Sequence, residues 1–155
     1  MTSDSITKVE VNDNGVTAEL GSGKSLTAEL MIVSVGRRPY LDNLGVEELG
    51  LASERGKLIV DENMMTNVDG IYAIGDVINS PMLAHVASKE GLVAVDHAVG
   101  KKSSVNYDAV PRCVYTEPEV AAVGKTEREL TEKGIAYRVG SFEFRGLGIA
   151  QAIRK

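Results

Sequence analysis

The sequence predicts an α/β fold that gives way to α+β towards its C-terminal end. Three observations carry this. Leu30–Val35 is apolar on both faces, which suits a strand covered on both sides. Two apolar strands each end in glycine, at Val35-Gly36 and at Ile74-Gly75-Asp76. From Met82 to Val99 the apolar spacing becomes helical, and beyond Ser103–Ala109 strands alternate with one short capped helix.

Composition sets the outer limits. The 155 residues are 43% hydrophobic and 25% charged, ordinary globular usage that fits one domain, or one domain plus parts of others. Sixteen glycines and no tryptophan point to tight turns and close backbone approaches rather than aromatic packing. A net charge of −5 without a basic cluster argues against nucleic acid or an anionic membrane surface as partner. Apolar runs such as Leu30-Met31-Ile32-Val33 are far too short to cross a bilayer. Met1-Thr2-Ser3-Asp4 opens no basic-then-apolar leader, so the expectation is a protein without a secretory signal and of cytoplasmic location. The single cysteine, Cys113, excludes an internal disulfide and a cysteine-based zinc site.

The first thirty residues read as an antiparallel meander. Val9 and Val11 alternate with charged neighbours, Asp13-Asn14-Gly15 turns the chain, and Val16, Ala18 and Leu20 alternate again before Gly21-Ser22-Gly23-Lys24. A third strand carries Leu26 and leads into the Leu30–Val35 strand, which stops at Gly36-Arg37-Arg38-Pro39. A loop-rich stretch around Leu44, Leu49 and Leu51 precedes a strand at Lys57–Asp61, a turn at Thr66–Gly70 and a strand at Ile71–Ile74. In the helix that follows, Leu83, Val86, Ala87, Ala94, Val95 and Ala98 fall near one face, with Gly100 as its stop. Val110–Thr116 and Glu119–Gly124 read as strands around a Pro118 turn. Thr126 and Glu129 form a capping box for a helix to about Lys133, ending at Gly134. Ala136–Phe144 returns to strand character, and Gly146–Lys155 shows little pattern.

Several motifs fail on inspection. Gly23-Lys24-Ser25 lacks the glycine of a phosphate loop, because Ala18 stands five positions earlier, and a strand rather than a helix follows. Asn12–Gly15 is not a calcium loop, since the closing acidic position falls on Gly21. Gly146-Leu147-Gly148 lacks the third glycine of a dinucleotide fingerprint. His85 and His97 are too far apart for a shared metal, and His97 reads as a helix-flank residue. Cys113, inside a strand, reads as a small buried hydrophobe rather than a nucleophile. No catalytic set and no metal site is complete.

The two strand ends carry the information. Ligands of open α/β folds collect at carboxyl ends of strands, and glycine there admits a cofactor to the backbone. Asp76 can accept hydrogen bonds from ribityl or ribose hydroxyls. Met82-Leu83-Ala84-His85 opens a helix whose free amides and positive end favour an electron-rich group. Gly36 has a second reading, a simple turn glycine.

Gly70–Val77 followed by Pro81–His85 and Glu90-Gly91 resembles the FAD-binding segment of the dihydrolipoamide dehydrogenases, among the flavin- and nicotinamide-dependent disulfide oxidoreductases. Val35–Pro39 is similar to the family's junction between NAD and FAD domains, and Val110–Gly124 with Lys125-Thr126-Glu127 to the opening of its dimerisation domain. The resemblance implies the end of an NAD-binding domain at 1–36, the second FAD-binding segment at 37–109 and a truncated dimerisation domain at 110–155. It also implies FAD and NAD as cofactors, with cofactor-binding residues Gly36, Gly75, Asp76, Met82, Leu83, Ala84 and His85. The implied partners are a second copy of the chain and the lipoyl domains of 2-oxo acid dehydrogenase or glycine cleavage complexes. The family's two GxGxxG fingerprints and CxxxxC pair are not in this sequence, and its His/Glu dyad would lie beyond Lys155. The expectation is an internal fragment, inactive alone. Tyr40, Val86 and Ile149 depart from the family's usual residues. Two alternatives stand beside this reading: another disulfide reductase of the group, for mercury or coenzyme A disulfide, and a non-catalytic self-association module built on Val110–Phe144.

Overall fold

A computed structural model of the chain describes residues 2–153. Met1, which opens the leader reading, and Arg154 and Lys155, which close the patternless stretch, lie outside the described residues. The chain divides between Arg38 and Pro39 into two units.

The first unit is the expected meander. β1 (Ile6–Asn12), β2 (Gly15–Leu20) and β3 (Ser25–Ala28) form one antiparallel sheet in that order, with Val9 opposite Ala18 and Ala18 opposite Leu26. The first turn closes on an Asx bond, the Asn14 amide donating to Asn12 Oδ1 at 2.9 Å. Among the described residues of this unit only Ala18 and Leu20 are buried. Leu30–Val35 is not a strand: the segment has no regular structure, and Ile32 and Val35 are 83% and 93% exposed. A strand buried on both faces needs neighbours on its edges and layers above and below, and this unit supplies neither.

The second unit holds the core. Leu58, Met64, Ala73, Ile78, Val93 and Ala94 are buried together, with Leu41, Leu51, Tyr72 and Val105 packed around them. β4 (Ser53–Glu54) and β5 (Lys57–Leu58) make a two-residue hairpin, so the strand expected at Lys57–Asp61 is paired over its first part only. The expected Ile71–Ile74 strand is reduced to one antiparallel bridge between Met65 and Tyr72, and a parallel bridge joins Leu58 to Ile78. Tyr72 bridges Met65 alone and Leu58 adds to its hairpin only the bridge to Ile78, which is too little to propagate a longer ladder.

α1 (Ala84–Ala98) is the main helix. Its buried face is Val86, Glu90, Val93 and Ala94, whereas Val95 and Ala98, expected on that face, are not buried. The correction is a rotation of the stripe: positions 86, 90, 93 and 94 keep the i, i+4, i+7, i+8 rule. Val93 at 0% exposure and Ile78 at 2% contribute about 1.5–3 kcal/mol each by leaving water. The helix ends as expected at Gly100 (φ +78°), with Lys101 N–H donating to Asp96 O at 2.8 Å and Gly100 N–H to His97 O at 2.9 Å.

After a 3-10 turn at Tyr107–Ala109, β6 (Arg112–Val114) and β7 (Val120–Ala122) pair antiparallel around Pro118. Cys113 is exposed rather than buried, because nothing packs on this hairpin's faces among the described residues. α2 (Glu127–Glu132) carries the expected capping box: the Glu129 amide donates to Thr126 Oγ1, and the Thr126 amide to Glu129 Oε2 at 2.7 Å. It ends in the same six-to-one bond as α1, Ile135 N–H to Leu130 O at 2.9 Å. The Ala136–Phe144 strand is absent among the described residues, and Val139, Phe142 and Phe144 are exposed for want of a pairing edge. The stretch read as patternless forms α3 (Gly148–Ile153). Its Gly-Ile-Ala-Gln-Ala-Ile sequence is too short for periodicity to show.

Candidate cofactor site

Gly75 and Asp76 open a 3-10 turn, Gly75–Val77, directly after Ile74. Gly75 is left-handed (φ +71°), and a Cβ there would stand 3.1 Å from Ala87 Cβ on α1. On the other side Gly91 gives way to Ile74, whose Cδ1 would be 3.3 Å from a Cβ at position 91. The Ile74-Gly75 segment and the helix are therefore closely packed because glycine stands at both contacts. Asp76, the next residue, is exposed, so its carboxylate is free to receive hydroxyl donors.

Leu83 is the N-cap of α1, with φ −132° and ψ 132° and no side-chain cap. The amides of Val86 and Ala87 both turn back to the Leu83 carbonyl. Those of Ala84 and His85 have no intrahelical acceptor, as the first amides of any helix do not. No acidic side chain in the first turn offsets the helix's positive end. Met82 and Leu83 are half-buried, and Ala84 and His85 are exposed. The His85 ring is engaged by the chain itself, its Nε2 donating to the Pro111 carbonyl at 2.9 Å, while its backbone amide has no intrahelical acceptor. The structure thus brings Gly75, Asp76 and Met82–His85 into one unit. Gly36, left-handed at φ +107° and exposed, belongs to the first unit.

One buried polar group, Glu90, belongs to the Glu90-Gly91 pair of the resemblance but is not among the expected cofactor-binding residues. Glu90, on the core face of α1, is 0% exposed. Its Oε2 accepts the Gly75 amide at 2.7 Å, and its Oε1 accepts the Tyr107 hydroxyl at 2.8 Å. The available signal was a carboxylate among Val86, Val93 and Ala94, where an apolar residue belongs. His97 is also more engaged than a flank residue: its Nδ1 shares a 2.8 Å hydrogen bond with Tyr72 Oη, and the rings meet edge-on at 5.8 Å.

The environment of Tyr107 is testable. Burial, then the hydrogen bond to Glu90 and its negative charge, push the phenol up to about 12 from an ordinary 10.0. A raised phenol contributes stability that is complete below about pH 10 and is lost as pH climbs to about 12. The phenolate absorbance of the native chain minus that of Tyr107→Phe is expected to titrate near 12. A difference curve centred at pH 10 would show that Glu90 does not hold this hydroxyl.

A cleft of ≈ 880 Å³ is lined by Arg55, Lys57, Leu58, Met64, Ile78 and Tyr107 among others. No residue singled out from the sequence as a site residue lines it, and its open, mixed wall carries no catalytic grouping.

Known proteins match both halves of the chain. The family described as pyridine nucleotide-disulphide oxidoreductase matches residues 1–91, and its dimerisation domain matches residues 110–155. Dihydrolipoyl dehydrogenase 1, mitochondrial, of Arabidopsis thaliana is 43% identical over 154 residues, covering 96% of this chain and 30% of its own length. The mitochondrial dihydrolipoyl dehydrogenase of Canis lupus familiaris is 44% identical over 138 residues, covering 88% of this chain and 27% of its own. Among solved structures, LpdA from Mycobacterium tuberculosis superposes with a TM-score of 0.85 at 30% identity, over 96% of this chain and 33% of that one. The chain therefore spans less than a third of the curated relatives it matches. These relatives favour the dihydrolipoamide dehydrogenase resemblance over both alternatives. They overturn the expectation of a cytoplasmic protein, since the relatives are mitochondrial by name. A leader is an N-terminal feature of a whole precursor, so the residues after Met1 of a chain this much shorter are no guide to location.

Proposed function

Because the chain belongs to the pyridine nucleotide-disulphide oxidoreductase family, we propose that it is a segment of a dihydrolipoyl dehydrogenase, contributing cofactor placement and dimer surface. The whole enzyme would oxidise protein-bound dihydrolipoamide through a redox disulfide and FAD, with NAD as acceptor. Within it, residues 1–36 end the NAD-binding domain, 37–109 form the second FAD-binding segment and 110–155 begin the dimerisation domain. Two copies pair through that last region, and lipoyl domains of 2-oxo acid dehydrogenase or glycine cleavage complexes deliver the substrate.

The observation that carries this reading is the exposed Asp76 carboxylate, set just after an anchored left-handed glycine, in the same unit as an uncapped helix start. These groups fit FAD. Asp76 accepts from hydroxyls of the ribityl–pyrophosphate region, and Met82–His85 flank the flavin through their backbone. Gly36 lies near NAD. When bound, FAD supplies the two-electron relay between the dithiol and the nicotinamide.

The test is FAD release from the full-length reductase, followed by recovery of flavin fluorescence. Asp76→Ala deletes a charge-assisted acceptor, worth about 1.5–3 kcal/mol or roughly 10- to 150-fold in affinity. Unchanged release would remove Asp76 from the cofactor site. Ala84→Pro gives a second arm. Ala84 is the first helical residue and Leu83 before it is extended, so proline fits both backbones and removes only one amide. The expected result is a more negative flavin potential with little change in stability, while Ala84→Gly leaves the potential in place.

A further inference from the structure

We propose that Glu90 is a positioning residue for the cofactor site, a buried carboxylate that sets the Asp76-bearing turn and ties it to the chain entering the dimerisation region. The inference rests on the reading of Asp76 as an FAD ligand.

A carboxylate at 0% exposure between Val86 and Val93 has lost its water, and such a group persists only if its oxygens are satisfied. No cation pairs with Glu90 among the described residues; two neutral donors do, one on each oxygen. Gly75 N–H is an obligatory donor, and the raised phenol keeps Tyr107 protonated and donating. The three groups come from separate stretches of chain, 15 and 17 residues from Glu90 in sequence. Gly75 immediately precedes Asp76, so a bond to its amide fixes the peptide plane from which Asp76 departs. Tyr107 sits in the 3-10 turn just ahead of residue 110, where the match to the dimerisation domain begins. One side chain therefore holds the cofactor turn against α1 and holds the exit from this segment against both.

The chemistry distinguishes substitutions. Glutamine keeps both bonds: its Oε1 accepts from Gly75, and its amide donates to a Tyr107 oxygen that turns from donor to acceptor. Leucine keeps the volume and loses both. Tyr107→Phe leaves the Gly75 bond and strips the other.

The experiment is an FAD-release cycle in the full-length reductase with Glu90→Leu, Glu90→Gln, Asp76→Ala and the Asp76→Ala/Glu90→Leu pair. Glu90→Leu is expected to speed release about tenfold, Glu90→Gln less than about threefold, and the pair no more than Asp76→Ala alone, because Glu90 acts through Asp76. Fully additive losses in the pair, or native release from Glu90→Leu while Asp76→Ala sheds FAD, would overturn the inference and leave the cofactor reading standing. Native release from Asp76→Ala would bring down both. Should Glu90→Leu fail to fold, Tyr107→Phe takes its place in the same cycle. Faster release that vanishes in the Asp76→Ala background supports the tether, and release equal to the native protein overturns it.

Discussion

Val93→Asp is expected to abolish cooperative folding of the unit that begins at Pro39. Val93 is 0% exposed and sits among Leu58, Met64, Ala73, Ile78 and Ala94. A charged or newly protonated carboxyl there forfeits the burial of the valine and is left without a hydrogen-bond partner, at a cost of several kcal/mol. Whole domains are stable by only about 5–15 kcal/mol, so the loss is a large share of what exists. Glu90 is the natural comparison, because it is also an acid buried on this face of α1 and it persists with both oxygens bonded. Far-UV circular dichroism through a urea titration of the 155-residue chain is the measurement. A cooperative transition within about 1 kcal/mol of the native chain would mean that the face of α1 carrying Val93 is not packed as described.

Gly75→Val is expected to cost about 2–5 kcal/mol, from two sources that can be separated. A side chain at φ +71° costs roughly 1–2 kcal/mol for the left-handed backbone, and its Cβ meets Ala87 Cβ at 3.1 Å, adding about 1–3 kcal/mol of overpacking. Ala87 lies on the helix itself, so the contact is relieved only by moving α1 or the turn. Gly100 is the control: its φ is +78° and nothing lies within 4 Å of a Cβ placed there. Gly100→Val should therefore show the backbone cost alone. Equal losses from the two substitutions in chemical denaturation would argue that the turn and α1 are not in close contact. The Gly75 variant should also shed FAD from the full-length reductase, since the shifted turn carries Asp76 with it.

Features that depend on a few neighbouring residues are legible in the amino-acid sequence. The meander follows from alternation and two turn sequences. The capping box of α2 follows from Thr126 and Glu129, and the helix stops from Gly100 and Gly134. The turn and cap hydrogen bonds span no more than about six residues, so local φ/ψ preference and side-chain chemistry suffice, and in the meander the turns bring adjacent strands into pairing. Gly75, Asp76 and the start of α1 are legible for the same reason, as a turn glycine, a carboxylate and a helix start, although the strand expected before Gly75 is only a single bridge at Tyr72.

Other features depend on partners far along the chain. Leu30–Val35 and Ala136–Phe144 have strand composition, yet a strand exists only where another offers its edge, and none does among the described residues. Cys113 has strand neighbours but no layer over them, so it is exposed. The buried stripe of α1 includes Glu90 because Gly75 and Tyr107, 15 and 17 residues away, satisfy its two oxygens. Periodicity alone scores a glutamate as solvent-facing. Turns, caps and the succession of glycine, carboxylate and helix start could be read from the amino acids alone, because those are short-range properties of the chain. Burial of a charge and pairing of a strand were left to the fold, because their free energy resides in the partner and not in the residue.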